Sequence, residues 1–159
     1  MKIILVGKIC SGKDTVASLL PGTHLAFGDK LKEIAGLLRA IGPMRTAQIM
    51  QEFTDIPLPD LVLALTKFSQ IPFSPPKDRE LLQELGAWCH LQDEEIWIRP
   101  VRSIITDDCV ITDCRRDAEL LAFPEFTRIY IEAPEKIRKE RMLLRDFSCN
   151  MAAFEHPAE

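Results

Sequence analysis

VGKICSGKDT, residues 6–15, follows an apolar run at residues 3–6 and decides the fold of this 159-residue chain. The apolar run predicts a buried strand. Gly7, Gly12 and Lys13 then fill the fixed positions of the pattern G-x-x-x-x-G-K, a phosphate-binding loop between a strand and a helix. We therefore expect the first half of a βαβ unit here, although a chance glycine turn before a lysine remains the alternative.

The loop would hold a polyphosphate mainly through its backbone. N–H groups around Cys10, Ser11 and Gly12 would face the phosphates, the helix start would add its positive end, and Lys13 would reach the bridging and terminal phosphates. The position after the lysine is usually Ser or Thr, but here it is Asp14, followed by Thr15. Thr15 can still offer a hydroxyl group, and Asp14 could hold a metal-bound water. Together with Gly7, these residues form the predicted nucleotide site.

Composition limits the kinds of partner. A hydrophobic content of 47% in 159 residues fits one domain with a substantial core. The net charge of −4 gives no electrostatic footprint for nucleic acid or an anionic membrane, so positive charge at a site must be concentrated locally. We expect small-molecule partners.

Cysteine usage and hydropathy predict a cytoplasmic protein. The five cysteines are odd in number and show no C-x-x-C spacing, which favours free thiols over disulfides or a zinc site. The apolar run before Gly7 is too short for a signal peptide, and no segment has the length of a membrane span.

Periodicity and turn residues predict strands alternating with helices, hence a parallel sheet. The predicted helices cover residues 12–20, about 28–42 (capped by Asp29 and ended by Gly42), a segment that ends near Gly86, and 135–146. The predicted strands cover residues 2–6, an extended piece at 24–27, and buried strands at 109–113 and 127–133. The proline-rich residues 43–76 are predicted to form an inserted subdomain or a mobile cover.

Five segments in order resemble the bacteriophage-type deoxynucleoside monophosphate kinases: SGKDT, FGDKLKE, LLQELG, EEIWIRPV and VITDCRRDAE. In that family Asp after the loop lysine is usual, so Asp14 resembles a family feature. Phosphomevalonate kinases of the P-loop type share a similar G-K-D signature. The resemblance implies one P-loop kinase domain of three-layer α/β/α architecture, with residues 43–76 on the acceptor side and about 135–150 as a lid.

The resemblance also implies an acceptor side. It places Asp29 and Lys32 near the monophosphate, although both suit an ordinary helix start. Arg79 suits a phosphate and Gln83 a base edge, with a solvated helix face as the alternative. Trp97 could stack on a base or simply fill the core.

VITDCRRDAE matches the family pattern D-x-R-x-x-x-E at Asp113, Arg115 and Glu119. Asp113 would end a strand, where open α/β sheets bind their ligands. The resemblance implies that Asp113 binds Mg²⁺, with Asp14 and Thr15, or orients the acceptor phosphate, which Arg115 would clamp. The alternative is a strand-ending Asp that caps a helix.

Arg138, Arg141 and Arg145 have the spacing i, i+3, i+7, which places them on one helix face. As lid arginines they would stabilise the charge of phosphoryl transfer, with Arg145 on the ATP side. A solvated basic face is the alternative.

After a HPxE-like segment at 156–159, the resembling kinases continue into another strand and helix beside the adenine, and this sequence has neither. A second chain of a homodimer could complete that side. The predicted function is transfer of the γ-phosphoryl group of ATP, with Mg²⁺, to a deoxynucleoside monophosphate. Another small-acceptor kinase, of the dephospho-coenzyme A or phosphomevalonate type, and a non-catalytic nucleotide-binding module are the alternatives.

Overall fold

The computed structural model describes residues 1–73, 75 and 78–145, and only the backbone of Arg145. The strands are β1 (Lys2–Val6), β2 (Thr23–Leu25), β3 (Cys109–Cys114) and β4 (Thr127–Tyr130). The helices are α1 (Lys13–Ala17), α2 (Phe27–Ile41), α3 (Pro43–Met50), α4 (Leu58–Phe68), α5 (Arg79–Gln92), α6 (Ile98–Ser103), α7 (Asp117–Leu121) and α8 (Glu135–Arg145). The chain divides into two compact units, the first from Met1–Ala26 with Ile105–Glu159 and the second from Phe27–Ile104.

The first unit contains a four-stranded sheet in the order β2-β3-β1-β4, with every pair parallel. The predicted α/β class with a parallel sheet is therefore confirmed. Ile4 and Leu5 in the central strand β1 are fully buried, because a parallel sheet is covered on both faces. The apolar core on the α1 side joins Leu5, Val110 and Ala17.

Strand order brings two carboxyl ends together. From β1 the chain crosses β3 to reach β2, and from β3 it crosses β1 to reach β4, so the two connections leave in opposite directions. The right-handed rule for parallel crossovers then assigns α1 and α7 to opposite faces, as in a three-layer α/β/α arrangement. Ligands of open α/β sheets bind at such a switch point, here beside the ends of β1 and β3.

Several predicted boundaries in the first unit were wrong. α1 is shorter than residues 12–20, because turns at residues 18–20 end it before Pro21. The predicted extended piece at 24–27 became β2 at Thr23–Leu25, and Phe27 already begins α2. β4 was predicted to be buried, but Tyr130 is 59% exposed, because within the described residues β4 pairs with β1 alone.

The second unit consists of α2 to α6. α2 packs against α3, α5 and α6, and α4 packs against α3 and α5. Gly42 ends α2 as predicted and adopts a positive φ of 80° between α2 and α3. Residues 43–73 form α3, α4 and the turns that follow them, and so belong to this helical unit.

Two helix-end predictions in the second unit were wrong. Asp29 lies in the first turn of α2 and does not precede it, because the helix already begins at Phe27. Gly86 does not end its helix, since α5 continues to Gln92. A Cβ atom on Gly86 would lie 3.0 Å from Cδ2 of Leu31, so this glycine serves the close crossing of α2 and α5.

A polar cluster holds the corner between α5 and α6. Asp93 Oδ2 accepts hydrogen bonds from the Thr54 hydroxyl at 2.8 Å and from the Arg99 guanidinium at 2.5 Å. Arg99 also pairs with the exposed Asp55 at 2.8 Å and donates to the Phe53 carbonyl. Burial raises the pKa of Asp93, but these hydrogen bonds outweigh it and lower the pKa below its ordinary value.

Candidate phosphate-binding site

The loop between β1 and α1 has backbone conformations that require glycine at both ends. Gly7 has φ 155°, and a Cβ atom there would lie 2.3 Å from the Ile131 carbonyl oxygen. Gly12 has φ 106° and precedes α1 in the left-handed region. Residues with a side chain rarely adopt such values of φ, so glycine at these two positions of the motif has a direct steric reason here.

Lys13 folds back over this loop. Its ammonium group donates to the carbonyl oxygens of Gly7 at 2.5 Å and Lys8 at 3.0 Å. Asp14 and Thr15, the next two residues, are exposed at the start of α1. The loop lysine is therefore positioned by backbone carbonyls, while two of the three predicted metal ligands, Asp14 and Thr15, are accessible to solvent.

Helix α8 lies against the same loop. Arg141 donates from one guanidinium nitrogen to the carbonyls of Cys10 at 3.3 Å and Ser11 at 3.1 Å. Arg138 donates to the Ile9 carbonyl at 3.5 Å and is 7% exposed, whereas Arg141 is exposed. The arginines predicted to form a lid thus contact the loop directly in this structure. The side chain of Arg145, the third, lies outside the described residues.

Five consecutive loop carbonyls, at residues 7–11, therefore accept hydrogen bonds from cationic side chains. These hydrogen bonds hold the charged groups of Lys13, Arg138 and Arg141 against the loop. In a chain of net charge −4, the loop is a local concentration of positive charge. Such an arrangement favours an anion of high charge.

Ser11 adds an unpartnered polar group at the centre of the loop. The residue is 5% exposed, and its hydroxyl oxygen has no hydrogen-bond partner among the described residues. A buried hydroxyl without a partner costs roughly 1–3 kcal/mol, so its presence calls for an explanation. An oxygen of a bound phosphate would accept its hydrogen bond.

Asp113 lies beside this loop because β3 is the neighbour of β1. Val6, the last residue of β1, is paired with Cys114, the residue after Asp113. Ile4 pairs with Ile111, so β3 contains one extra residue over this step, which is a bulge. Bulges redirect side chains and often occur next to active sites. The bulge was not predicted from the sequence, which shows only an unbroken strand pattern.

Glu119 has a structural function in the turn after β3. Its carboxylate, 4% exposed, accepts hydrogen bonds from the backbone N–H groups of Arg115 at 2.8 Å and Arg116 at 3.1 Å. Burial is the largest effect and raises the pKa of Glu119 above its ordinary value, although these two hydrogen bonds act in the opposite direction. The resemblance implies that Glu119 binds substrate, but in this structure its carboxylate stabilises the turn after β3. It thereby positions the exposed Arg115.

The oxygen donors fit Mg²⁺ in the way that nucleotide sites use it. In the part of the chain that the structure describes, no group of three His, Cys, Asp or Glu side chains converges to hold a metal. Mg²⁺ in kinases, however, usually takes one or two protein oxygens and completes its shell with water and substrate phosphates. Asp113 with Asp14 or Thr15 would supply that number.

Asp29 and Lys32 lie in the second unit, on the exposed surface of α2. The lysine ammonium is 2.7 Å from the Asp29 carboxylate, and both side chains are 64% exposed. An exposed pair at this spacing contributes only about 0.2–1 kcal/mol. The structure therefore gives the two residues an ordinary helix-surface contact, which was the alternative considered from the sequence.

Arg79 and Gln83 lie in the first two turns of α5. Arg79, at the start of the helix, is half-buried, and Gln83 is exposed one turn later. Asp78 precedes the helix and pairs with Arg39 at 2.8 Å, which fixes the start of α5 within this unit. Their assignment to the acceptor nucleotide still depends on the resemblance.

Trp97 fills the core of the second unit. It is 2% exposed and lies between Phe53 and His90, with ring centroids 6.4 and 6.5 Å away. A buried ring cannot stack on a base without leaving its core, so the core alternative is correct for Trp97 in this structure.

The sequence did not reveal which loop atoms α8 would contact. Met142 is 1% exposed and lies on the same helix face as Arg138, four residues earlier. Leu143 and Leu144 of the same helix are 56% and 79% exposed, so its apolar residues did not identify the buried face from the sequence.

Among the described helices, none has the length and apolar character needed to cross a bilayer. The four described cysteines, Cys10, Cys89, Cys109 and Cys114, are free. No protein-family model matches this sequence, and no curated protein does.

Proposed function

We propose that this protein transfers the γ-phosphoryl group of ATP to a deoxynucleoside monophosphate. The observation that carries the proposal is the row of five loop carbonyls held by Lys13, Arg138 and Arg141. It favours a polyphosphate because three positively charged side chains converge on the backbone of one short loop.

A triphosphate would offer these cations better partners than the carbonyls do. Hydrogen bonds between ionised groups are about twice as strong as neutral ones, so exchange of carbonyl for phosphate oxygen is favourable. Arg141 is exposed and can change partners without leaving a core. Arg138 is buried and would keep its place, so we assign it to positioning the loop.

Phosphoryl transfer needs charge stabilisation and alignment more than covalent chemistry from the protein. Lys13 would bind the oxygens between the second and third phosphates, and Arg141 the oxygens of the moving group. Asp113, next to the loop, would orient the acceptor or hold Mg²⁺ together with Asp14 and Thr15. Bound Mg²⁺ would neutralise charge on the phosphate oxygens.

The nature of the acceptor is supported by the resemblance alone. The order of the five motifs is that of the deoxynucleoside monophosphate kinases, and Arg79 with Gln83 would contribute to acceptor binding. The loop and its cations suit any P-loop kinase equally well. Acceptors of other small-molecule kinases therefore belong in the same experiment.

The test is a coupled assay with ATP, Mg²⁺ and the four deoxynucleoside monophosphates, alongside dephospho-coenzyme A and phosphomevalonate. We expect turnover with at least one deoxynucleoside monophosphate and its loss in Lys13→Ala. Lys136→Ala is the matched control, since this exposed lysine of α8 is not among the residues that contact the loop. If only dephospho-coenzyme A or phosphomevalonate is phosphorylated, the proposed acceptor is wrong and that compound takes its place.

ATP binding without transfer to any acceptor would contradict the kinase activity and favour a nucleotide-binding module. Calorimetric titration with a non-hydrolysable ATP analogue measures that binding separately. If neither ATP binding nor phosphoryl transfer is detected, the assignment of a phosphate-binding site to this loop is wrong.

A further inference from the structure

Two helices of the second unit expose a groove lined by apolar and charged side chains. The groove, of about 550 Å³, lies between α4 and α5 and is lined by residues of both. Leu63 on α4 is 59% exposed, and Leu91 on α5 is 82% exposed. Trp88 also lines the groove, with its ring centroid 6.0 Å from that of Phe68.

The lining residues of α4 form one narrow stripe. Asp60, Leu63, Ala64 and Lys67 have the spacing i, i+3, i+4, i+7, so they lie within roughly 100° of the helix circumference. Asp60 and Lys67 are exposed at the two ends of the stripe. The negative charge of Asp60 near the start of α4 and the positive charge of Lys67 near its end both suit the helix dipole. The dipole does not explain, however, why both charges lie on the same face as the exposed Leu63.

This stripe is complementary to itself. In a two-fold pair of antiparallel α4 helices centred between Leu63 and Ala64, each Asp60 faces Lys67 of the other copy. Each Leu63 then packs over Ala64, whose small side chain is 7% exposed and leaves room for the leucine. A two-fold contact must present one surface to itself in this way.

The α5 stripe extends the same face. Glu84, Ala87, Trp88 and Leu91 repeat the spacing i, i+3, i+4, i+7 beside the groove. The most exposed leucine of this unit, Leu91, and the aromatic ring of Trp88 are thus on the flank of the α4 stripe. Contiguous apolar surface with a charged rim is typical of protein interaction sites.

We infer that the α4–α5 face is the contact between two copies of this chain, with the two-fold axis passing between Leu63 and Ala64. The occupant is a second copy because the charges at the two ends of the stripe are opposite and symmetrically placed about its apolar centre. The inference does not depend on the proposed kinase activity, since the contact is measured without nucleotide.

The test is sedimentation velocity of the full chain over a range of concentrations. We expect a species of twice 18.1 kDa that dissociates on dilution. Asp60→Lys places two lysines opposite each other at both ends of the contact, and Lys67→Asp places two aspartates there. Each variant alone is expected to dissociate at least about tenfold more readily, since like charges across a contact disfavour association.

Mixing the two variants gives a decisive result. A chain with Asp60→Lys and a chain with Lys67→Asp again face each other with opposite charges at both ends, so the mixture should recover the dimer. Glu52→Lys, a reversal at an exposed position after α3, is the control and should leave the dimer unchanged. Circular dichroism of each variant checks that the helices are intact.

A wild-type chain that stays monomeric at every concentration overturns the inference. So does a dimer that neither single variant weakens, or two weakened variants whose mixture does not reassociate. Leu63→Glu offers an independent check, because a carboxylate at the centre of the contact should abolish the dimer whatever the charges at its ends.

Discussion

The guanidinium group of Arg141 donates a hydrogen bond of 3.1 Å to the carbonyl oxygen of Ser11, 130 residues earlier in the chain. The same nitrogen also reaches the Cys10 carbonyl at 3.3 Å. A helix near the end of the described chain is thereby joined to the loop near its start. Arg138 and Arg141 of that helix make different contacts, which allows their functions to be separated by mutation.

Arg141→Ala should lower kcat without loss of stability. Arg141 is exposed, so the fold needs little from it, whereas a guanidinium on the moving phosphoryl group contributes on the order of 3 kcal/mol, or roughly a hundredfold in rate. Steady-state kinetics gives kcat, and titration with an ATP analogue gives the affinity, which should fall much less than kcat. A kcat within twofold of wild type would mean that Arg141 only covers the loop.

Arg138→Ala should instead lower the stability of the first unit. The side chain is 7% exposed and lies against the Ile9 carbonyl, so its removal leaves a gap beside the loop. We expect a loss on the order of 2 kcal/mol in the free energy of unfolding. Hydrogen exchange at β1 and β3, compared with Lys136→Ala, measures this effect. Unchanged protection together with reduced kcat would assign Arg138 to catalysis.

Lys13→Ala should abolish phosphoryl transfer while the chain still folds. The ammonium group donates to the carbonyl oxygens of Gly7 and Lys8 in the loop and not to the apolar core, so the core loses little. Its positive charge at the phosphates is what the reaction needs. Circular dichroism and the coupled assay check the two halves of this prediction. If Lys13→Ala turns over substrate at the wild-type rate, the assignment of residues 7–13 as a phosphate-binding loop is wrong.

The local features of the first unit could be predicted because their causes are local in sequence. An apolar run, two glycines and a lysine at fixed spacing predicted β1, the loop and the start of a helix, all of which the structure contains. The bulge at Asp113 and the contact of Arg141 with Ser11 could not be predicted. Both depend on which strand or helix becomes a neighbour, and that is determined by packing across the whole unit.

Glycine explains the clearest error in the second unit. Gly86 was expected to end a helix, because glycine after an apolar periodic segment usually does. The same absence of a Cβ atom also permits two helices to cross closely, and the Leu31 side chain uses it here. A single sequence does not distinguish a glycine that ends a helix from one that permits a close helix crossing, because the residue is the same in both cases.

Cys10 should be the most reactive of the four described cysteines, and ATP should protect it. Cys10 is half-exposed in the loop, whereas Cys89 and Cys114 are buried. Burial, with the charge of Asp93, raises the pKa of Cys89 to about 12. Burial, with the charges of Glu119 and Asp113, raises that of Cys114 to about 12. Thiols with such pKa values carry almost no thiolate near pH 7.

Peptide mapping by mass spectrometry after brief alkylation measures each cysteine separately. With a saturating ATP analogue, modification of Cys10 should slow, because phosphates would occupy the loop that carries it. The analogue should give no protection in Lys13→Ala, which is the matched control. An equal rate at Cys10 with and without the analogue would contradict nucleotide binding at this loop.

Asp93→Asn should destabilise the second unit by an amount that depends on pH. The hydrogen bonds from Arg99 and Thr54 outweigh burial and lower the pKa of Asp93 below its ordinary value of 3.8. The unfolded chain therefore binds the proton first as pH falls, so the stability from this carboxylate is complete above 3.8 and is lost through the lower folded pKa. We expect a loss of about 2 kcal/mol at pH 7 that shrinks below pH 3.8.

Asp55→Asn is the matched control, because Asp55 pairs with the same arginine from an 88% exposed position. Screening by solvent limits such a pair to about 0.2–1 kcal/mol, so this variant should change the free energy of unfolding only slightly. Both tryptophans, Trp88 and Trp97, lie in the second unit, so their fluorescence during urea unfolding follows that unit. If the two variants lost equal stability at pH 7, or if the loss in Asp93→Asn stayed constant down to pH 3, the buried carboxylate would not hold the corner between α5 and α6 as its hydrogen bonds indicate.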